Sequence, residues 1–104
     1  MIAMIFEFWF DPDDPARYQE YLAESARLRE LLPGVAGLEG IERFQSTTDP
    51  HRYVAIASFD DEASVAVWRR DQDHRRAQEL GRSRFFAGYR LRMAEVVRDY
   101  GKQG

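Results

Sequence analysis

A chain of 104 residues with 15 basic and 18 acidic side chains has the size of one domain and a formal net charge of −3, so no DNA or RNA footprint is expected. It has no cysteine and a single lysine, Lys102, which excludes disulfides, thiolate catalysis, cysteine metal sites and an internal Schiff base. Seven Phe, five Tyr and two Trp exceed what so small a core needs; the surplus either packs that core or lines a pocket or a subunit interface.

The opening residues Met1-Ile2-Ala3-Met4-Ile5-Phe6 are apolar, and β-formers continue to Phe10, which predicts a buried first strand. Glu7 interrupts the run, no basic segment precedes it and no small-residue cleavage site follows, so it does not read as a signal peptide. No apolar stretch approaches membrane-spanning length, and the expectation is a cytoplasmic protein with no membrane partner. Asp11-Pro12-Asp13-Asp14-Pro15 is a turn in which Asp13 or Asp14 caps a helix and Pro15 enters its first turn. The helix is predicted over 16–32, with Tyr18, Tyr21, Leu22, Leu28 and Leu32 near one face and Pro33-Gly34 as its stop.

A strand follows over 35–46, bent at Gly37 and Gly40, then a turn at Thr47-Thr48-Asp49-Pro50 and a strand over 52–59. The short link makes this pair an antiparallel hairpin. Asp60-Asp61-Glu62 opens a second helix that runs to Arg70, where acidic residues complement the helix dipole. A further helical piece covers 71–80 and ends at Gly81; the last strand region covers 85–100, supported by Val96 and Val97 and kinked at Gly88.

The order β-α-β-β-α-β is the split βαβ unit. It predicts an α+β, ferredoxin-like fold: one antiparallel four-stranded sheet with helices on one face, and a single domain over residues 1–104. Strand one places Met4, Phe6, Phe8 and Phe10 on one side and Ala3, Ile5 and Trp9 on the other, so both faces are apolar. The second face needs cover, and the same face of a second copy supplies it in a twofold homodimer. An unpaired carboxylate at Glu7 would be costly there, and Arg43, Arg90 and Arg92 are the candidate partners.

Only two histidines are available for acid–base chemistry. His51 lies in the hairpin turn and reads as a solvated loop residue. His74 lies in the second helical region and has two readings, a structural hydrogen-bonding residue or a general base and substrate-orienting group. Asp71, Asp73 and His74 crowd one helical turn and point different ways, so no metal site is expected. No Gly-x-Ser-x-Gly elbow and no Gly-x-Gly-x-x-Gly element is present, so no flavin or nicotinamide cofactor is expected. Trp68 is open between a core anchor and a wall of a cavity between helix and sheet.

Several stretches together resemble antibiotic biosynthesis monooxygenase domains: Met1-Ile2-Ala3-Met4-Ile5-Phe6-Glu7-Phe8, Ile41-Glu42-Arg43-Phe44-Gln45-Ser46, Asp60-Asp61-Glu62-Ala63 through Trp68-Arg69, and His74-Arg75-Arg76-Ala77-Gln78. The resemblance implies a dimeric α+β barrel. It also implies a cofactor-independent monooxygenase that deprotonates a small aromatic or quinone-type substrate, whose anion then reduces O2. By that likeness Trp68 matches a pocket tryptophan, and His74 is the expected base on chemical grounds; together they are the expected catalytic residues. Phe8, Tyr53, Tyr89 and Arg90 are the expected substrate contacts, with Arg92 as an alternative to Arg90. Other members degrade haem with an Asn on the first strand and a His further along the second helical region. This chain has no Asn, carries Phe8 or Glu7 at the first-strand position, and has Gln78 near the place of that His. Haem binding or degradation through His74, and a non-catalytic dimeric module for an apolar ligand, are the two alternatives.

Overall fold

In a computed structural model that describes residues 1–31 and 34–102, four strands form one antiparallel sheet. The elements are β1 (Ile2–Trp9), α1 (Pro15–Arg29), β2 (Leu38–Gln45), β3 (Arg52–Phe59), α2 (Glu62–Arg70), α3 (Gln72–Leu80), a π-helical turn (Gly81–Phe85) and β4 (Gly88–Glu95). The spatial order is β2-β3-β1-β4, so β1 is central and the ferredoxin-like α+β architecture is the one expected.

Pleating sorts the strands into two faces. In β1, Ile2, Met4 and Phe8 are buried beneath the helices, and Phe6 joins the two halves of the core. One half is built on Ile2, Met4, Ala57, Phe59 and Val65; the other on Phe8, Phe10, Ala55 and Phe85. Phe8 is completely buried, with the Phe86 ring centroid 4.8 Å and the Tyr21 centroid 5.1 Å away. The opposite face carries no helix. Glu7 lies on it, and its Oε1 is 3.5 Å from Nη1 of Arg92, so Arg92 is its partner among the three arginines considered.

Local chemistry explains most element boundaries. Pro15 stands at the start of α1, but Asp14 does not cap it with its side chain; its carboxylate accepts instead from Nε of Arg17 at 3.0 Å. α1 ends at Arg29 with Glu30 as its C-cap, three residues short of the predicted end at 32; Leu32 and Pro33 themselves lie outside the described residues. Gly37 has φ +81, a left-handed value that favours glycine, and a Cβ there would collide with Ser64. β2 then carries an irregularity between Leu38 and Gly40, where the expected bend falls. In the hairpin turn, Oγ of Ser46 accepts from the backbone N–H of Thr48 and Asp49. Asp61 caps α2 by accepting from Ser64 N–H at 2.8 Å, and that bond holds its carboxyl below the usual carboxylate range.

Three expectations are corrected near the C-terminal end. Gly81 does not stop the helical path; it has right-handed helical angles and leads into the π-helical turn. A Cβ at Gly81 would lie 2.7 Å from Cε2 of Phe86, so glycine is needed here for close packing, not for a turn. β4 ends at Glu95, leaving Val96 and Val97 beyond it, and Gly88 opens the strand beneath the Trp9 ring instead of kinking it.

Removing the Phe8 ring is expected to cost about 3–5 kcal/mol, as for other large core truncations. Urea unfolding of Phe8→Ala should show a lower midpoint with an unchanged slope. A second prediction concerns pH. Tyr53 is pushed up from 10.0 to about 12, first by burial and then by its hydrogen bond with Tyr18. The folded chain keeps a proton that the unfolded chain releases above about pH 10. This contribution is therefore complete below that pH and is lost as pH rises towards 12. Urea melts across this alkaline window should show falling stability, and Tyr53→Phe should flatten the fall.

Candidate active site

One row of residues crosses the whole sheet on its helix-covered face. Arg43 of β2 pairs in register with Ala55 of β3, Ala55 with Phe6 of β1, and Phe6 with Leu91 of β4. The small methyl of Ala55 leaves room between the larger neighbours, and a cavity of about 220 Å³ stands over this row. Its lining is mostly apolar, as ligand pockets usually are. α1 forms part of the opposite wall through Tyr21, Ser25 and Leu28; α3 adds Ala77 and Gln78, and the π-helical turn adds Phe85. A Met4 side chain and Ile41 extend the floor.

Trp68 and His74 both line the cavity. Their ring centroids are 3.5 Å apart at an interplanar angle of 35°. The break between α2 and α3 creates this contact. Asp71 leaves the helical region with ψ 132, and its Oδ1 accepts from the backbone N–H of His74 at 3.0 Å. The chain thus restarts as α3 with the imidazole folded against the indole at the end of α2. Trp68 also packs on the core, with the Phe59 ring 5.2 Å away. The two readings of Trp68 therefore hold together: one face of the ring anchors the core and the residue still borders the cavity.

The remaining sequence candidates separate. Tyr89 lines the cavity beside Phe86. Phe8 does not; it is sealed in the aromatic half of the core. Tyr53 belongs to that same cluster, stacked on Phe8 and Tyr18 with ring centroids 5.7 and 5.6 Å away, and its hydroxyl accepts from Nε2 of Gln45 at 3.3 Å. Arg90 pairs in register with Glu7, which places it on the helix-free face and away from the cavity. Arg92 shares that face and pairs with Glu7. Neither Glu7 nor Phe8, the first-strand positions weighed for the haem reading, lines the cavity. His51 is in the exposed hairpin turn, 3.8 Å from Asp49. Among the described residues, no group of three or more His, Asp or Glu is placed to hold a metal ion.

Arg43, expected only as a possible partner of Glu7, lines the cavity instead. Its Nη1 donates to Oγ of Ser25 at 3.2 Å, and its guanidinium carbon lies 5.2 Å from the centroid of the Tyr21 ring. The available signal was alternation: Ile41, Arg43 and Gln45 share one face of β2. The irregularity near Gly40 hides which face that is until the hairpin register is known.

Comparison with known proteins agrees with this architecture. The sequence model of the antibiotic biosynthesis monooxygenase family matches residues 1–80. A jasmonate monooxygenase from Pyricularia oryzae is 31% identical over 97 residues, which cover 93% of this chain and 44% of the relative. This chain thus spans less than half the length of that relative. A proposed antibiotic biosynthesis monooxygenase from Deinococcus radiodurans superposes with a TM-score of 0.80 at 9% identity over 100% of both chains. A variant of SnoaB, a cofactor-independent oxygenase from Streptomyces nogalater, superposes with a TM-score of 0.79 at 14% identity over 97% of both chains. The sheet order, the helix-covered face and the match over residues 1–80 lead to one assignment: the chain belongs to the antibiotic biosynthesis monooxygenase family.

Proposed function

We propose that this single-domain protein is a cofactor-independent monooxygenase acting on a small aromatic or quinone-type substrate with O2. The observation that carries the reading is the Trp68–His74 contact at the wall of an apolar cavity, with ring centroids 3.5 Å apart. The curated relative is a jasmonate monooxygenase and one structural neighbour is a cofactor-independent oxygenase, which supports oxygen chemistry on this fold.

Mechanistically, the apolar cavity holds an electron-rich ring over the floor formed by Phe6 and Ala55. His74 accepts a proton from the substrate, and the indole of Trp68 fixes the plane of the imidazole. The substrate anion then reduces O2. For an anthrone, the CH2 group becomes C=O and the second oxygen atom leaves as water, so the substrate supplies all four electrons that reduce O2 and no external reductant is required. Tyr89, which lines the cavity, donates a hydrogen bond to a substrate oxygen in this reading. Arg90 is not retained in this role, because its strand position faces the other way.

The same reading includes a homodimer formed through the helix-free face of the sheet. Ile56 and Phe44 lie on that face and are 41% and 46% exposed, with Ile5 and Val54 between the strands' charged residues. Such an apolar patch favours a second copy that presents the same surface. No helix among the described residues is long and apolar enough to cross a membrane.

Oxygen consumption by the purified, metal-free protein with anthrones, hydroquinones and jasmonate tests the activity. Uptake should exceed the uncatalysed rate with at least one substrate class. His74→Ala should lower it by roughly 10²–10⁴, the range for loss of a general base. Trp68→Phe should fold normally and weaken substrate binding. Absence of uptake across the panel would favour a non-catalytic ligand-binding module. For assembly, sedimentation at micromolar concentration should give a dimer, and Ile56→Asp should give a folded monomer. A stable wild-type monomer would refute the dimer.

A further inference from the structure

The charges around the cavity are unevenly committed. Its carboxylates are already engaged or turned away. Glu24 is held by Nη2 of Arg27 at 2.7 Å and lies 3.6 Å from Nε of Arg76. Asp71 spends Oδ1 on the His74 backbone N–H. Glu42 neighbours Arg43 on β2, so alternation sends its side chain towards the helix-free face. Arg43, in contrast, has no ion-pair partner among the described residues. It contacts the neutral Ser25 hydroxyl and the face of Tyr21. These two contacts fix the guanidinium plane. One N–H is satisfied and one face is covered, while a fork of donors stays available. Arg29, exposed at the end of α1, adds a second positive charge to the lining.

A half-buried guanidinium that is oriented but not neutralised, at the margin of an apolar cavity, matches an anion attached to an apolar body. We propose that Arg43 anchors a carboxylate on the substrate, so that the ligand class is a small carboxylic acid with an aromatic or alicyclic body. This rests on the reading that the cavity is the substrate site. It adds to that reading a fixed end for the substrate. Arg43 comes from the edge strand β2, whereas Trp68 and His74 come from α2 and α3. A ligand held by its carboxylate at β2 would lie along the Arg43–Ala55–Phe6 row and present its other end towards the α2–α3 wall. Arg43 is thus a binding and positioning residue, and the carboxylate it holds is not the reacting group.

The test is calorimetric binding at neutral pH without oxygen, using naphthoate, cyclohexylpropanoate and the methyl ester of each. Wild type should bind at least one acid about tenfold or more tighter than its ester, as expected for a charge-assisted pair. Arg43→Gln should lose about that factor for the acid and leave the ester nearly unchanged. Arg43→Lys, which keeps the charge but not the planar fork, should retain part of the preference. Thermal melts of both variants report folding separately, and if Arg43→Gln fails to fold, the acid-to-ester ratio of wild type and Arg43→Lys decides. Equal affinity for acid and ester would overturn the proposal. So would equal loss of both in Arg43→Gln, or no binding of either acid. Oxygen uptake is read in a different assay, so a failed anchor and a failed monooxygenase reading give different results.

Discussion

The alternation of β1 governs the rest of the molecule. As the central strand it pairs with both β3 and β4, and its even-numbered side chains fix which residues of the other strands face the helices. Phe6 belongs to both halves of the core, so the sheet and all the helices are tied together at one ring. A slip of one residue would expose Phe8 and bury Glu7, exchanging the most apolar face for one that carries a charge. Burial of the phenyl rings and the cost of burying an unneutralised carboxylate act in the same direction and hold a single register.

The cavity follows from a mismatch of sizes on that face. Ala55 in β3 lies between the bulkier Phe6 of β1 and Arg43 of β2, so the helices rest on the larger side chains and leave space above the alanine. The helices are held at the rim largely by polar contacts. Glu20 accepts from Nε of Arg84 at 2.6 Å, linking α1 to the π-helical turn, and Arg84 holds the Glu20 carboxyl below its usual range. Such exposed pairs contribute little stability, so the burial of Tyr18 and Tyr21 against Phe10 and Phe8 does most to seat α1. Apolar contact thus fixes the frame, and charge adjusts the edges of the site.

Part of the candidate cavity's lining was legible in the sequence, but unevenly. Trp68 and His74 stood out because each is scarce and chemically distinctive, and the structure brings them into ring contact. Tyr89 is at the cavity, whereas Arg90, one residue on, is not. That pair shows the limit of a linear reading. In a strand, neighbouring residues face opposite solvents, and nothing local tells which one faces inwards. Phe8 and Tyr53 were sensible contacts by residue type, but they became core because aromatic partners from α1 and the π-helical turn converge on them.

The sequence by itself determined the element order, the split βαβ topology, the absence of cysteine chemistry and the apolar character of both sides of β1. These depend on local periodicity, turn residues and composition, which are properties of short windows of chain. Tertiary structure decided which arginine faces the cavity, which pairs with Glu7, and that Gly81 serves packing instead of termination. Those outcomes depend on strand register and on side chains far apart in sequence, such as Arg43 with Ser25 or Arg92 with Glu7. A residue's neighbours across a sheet are fixed only when the whole core closes, so its role is settled at that level and not before.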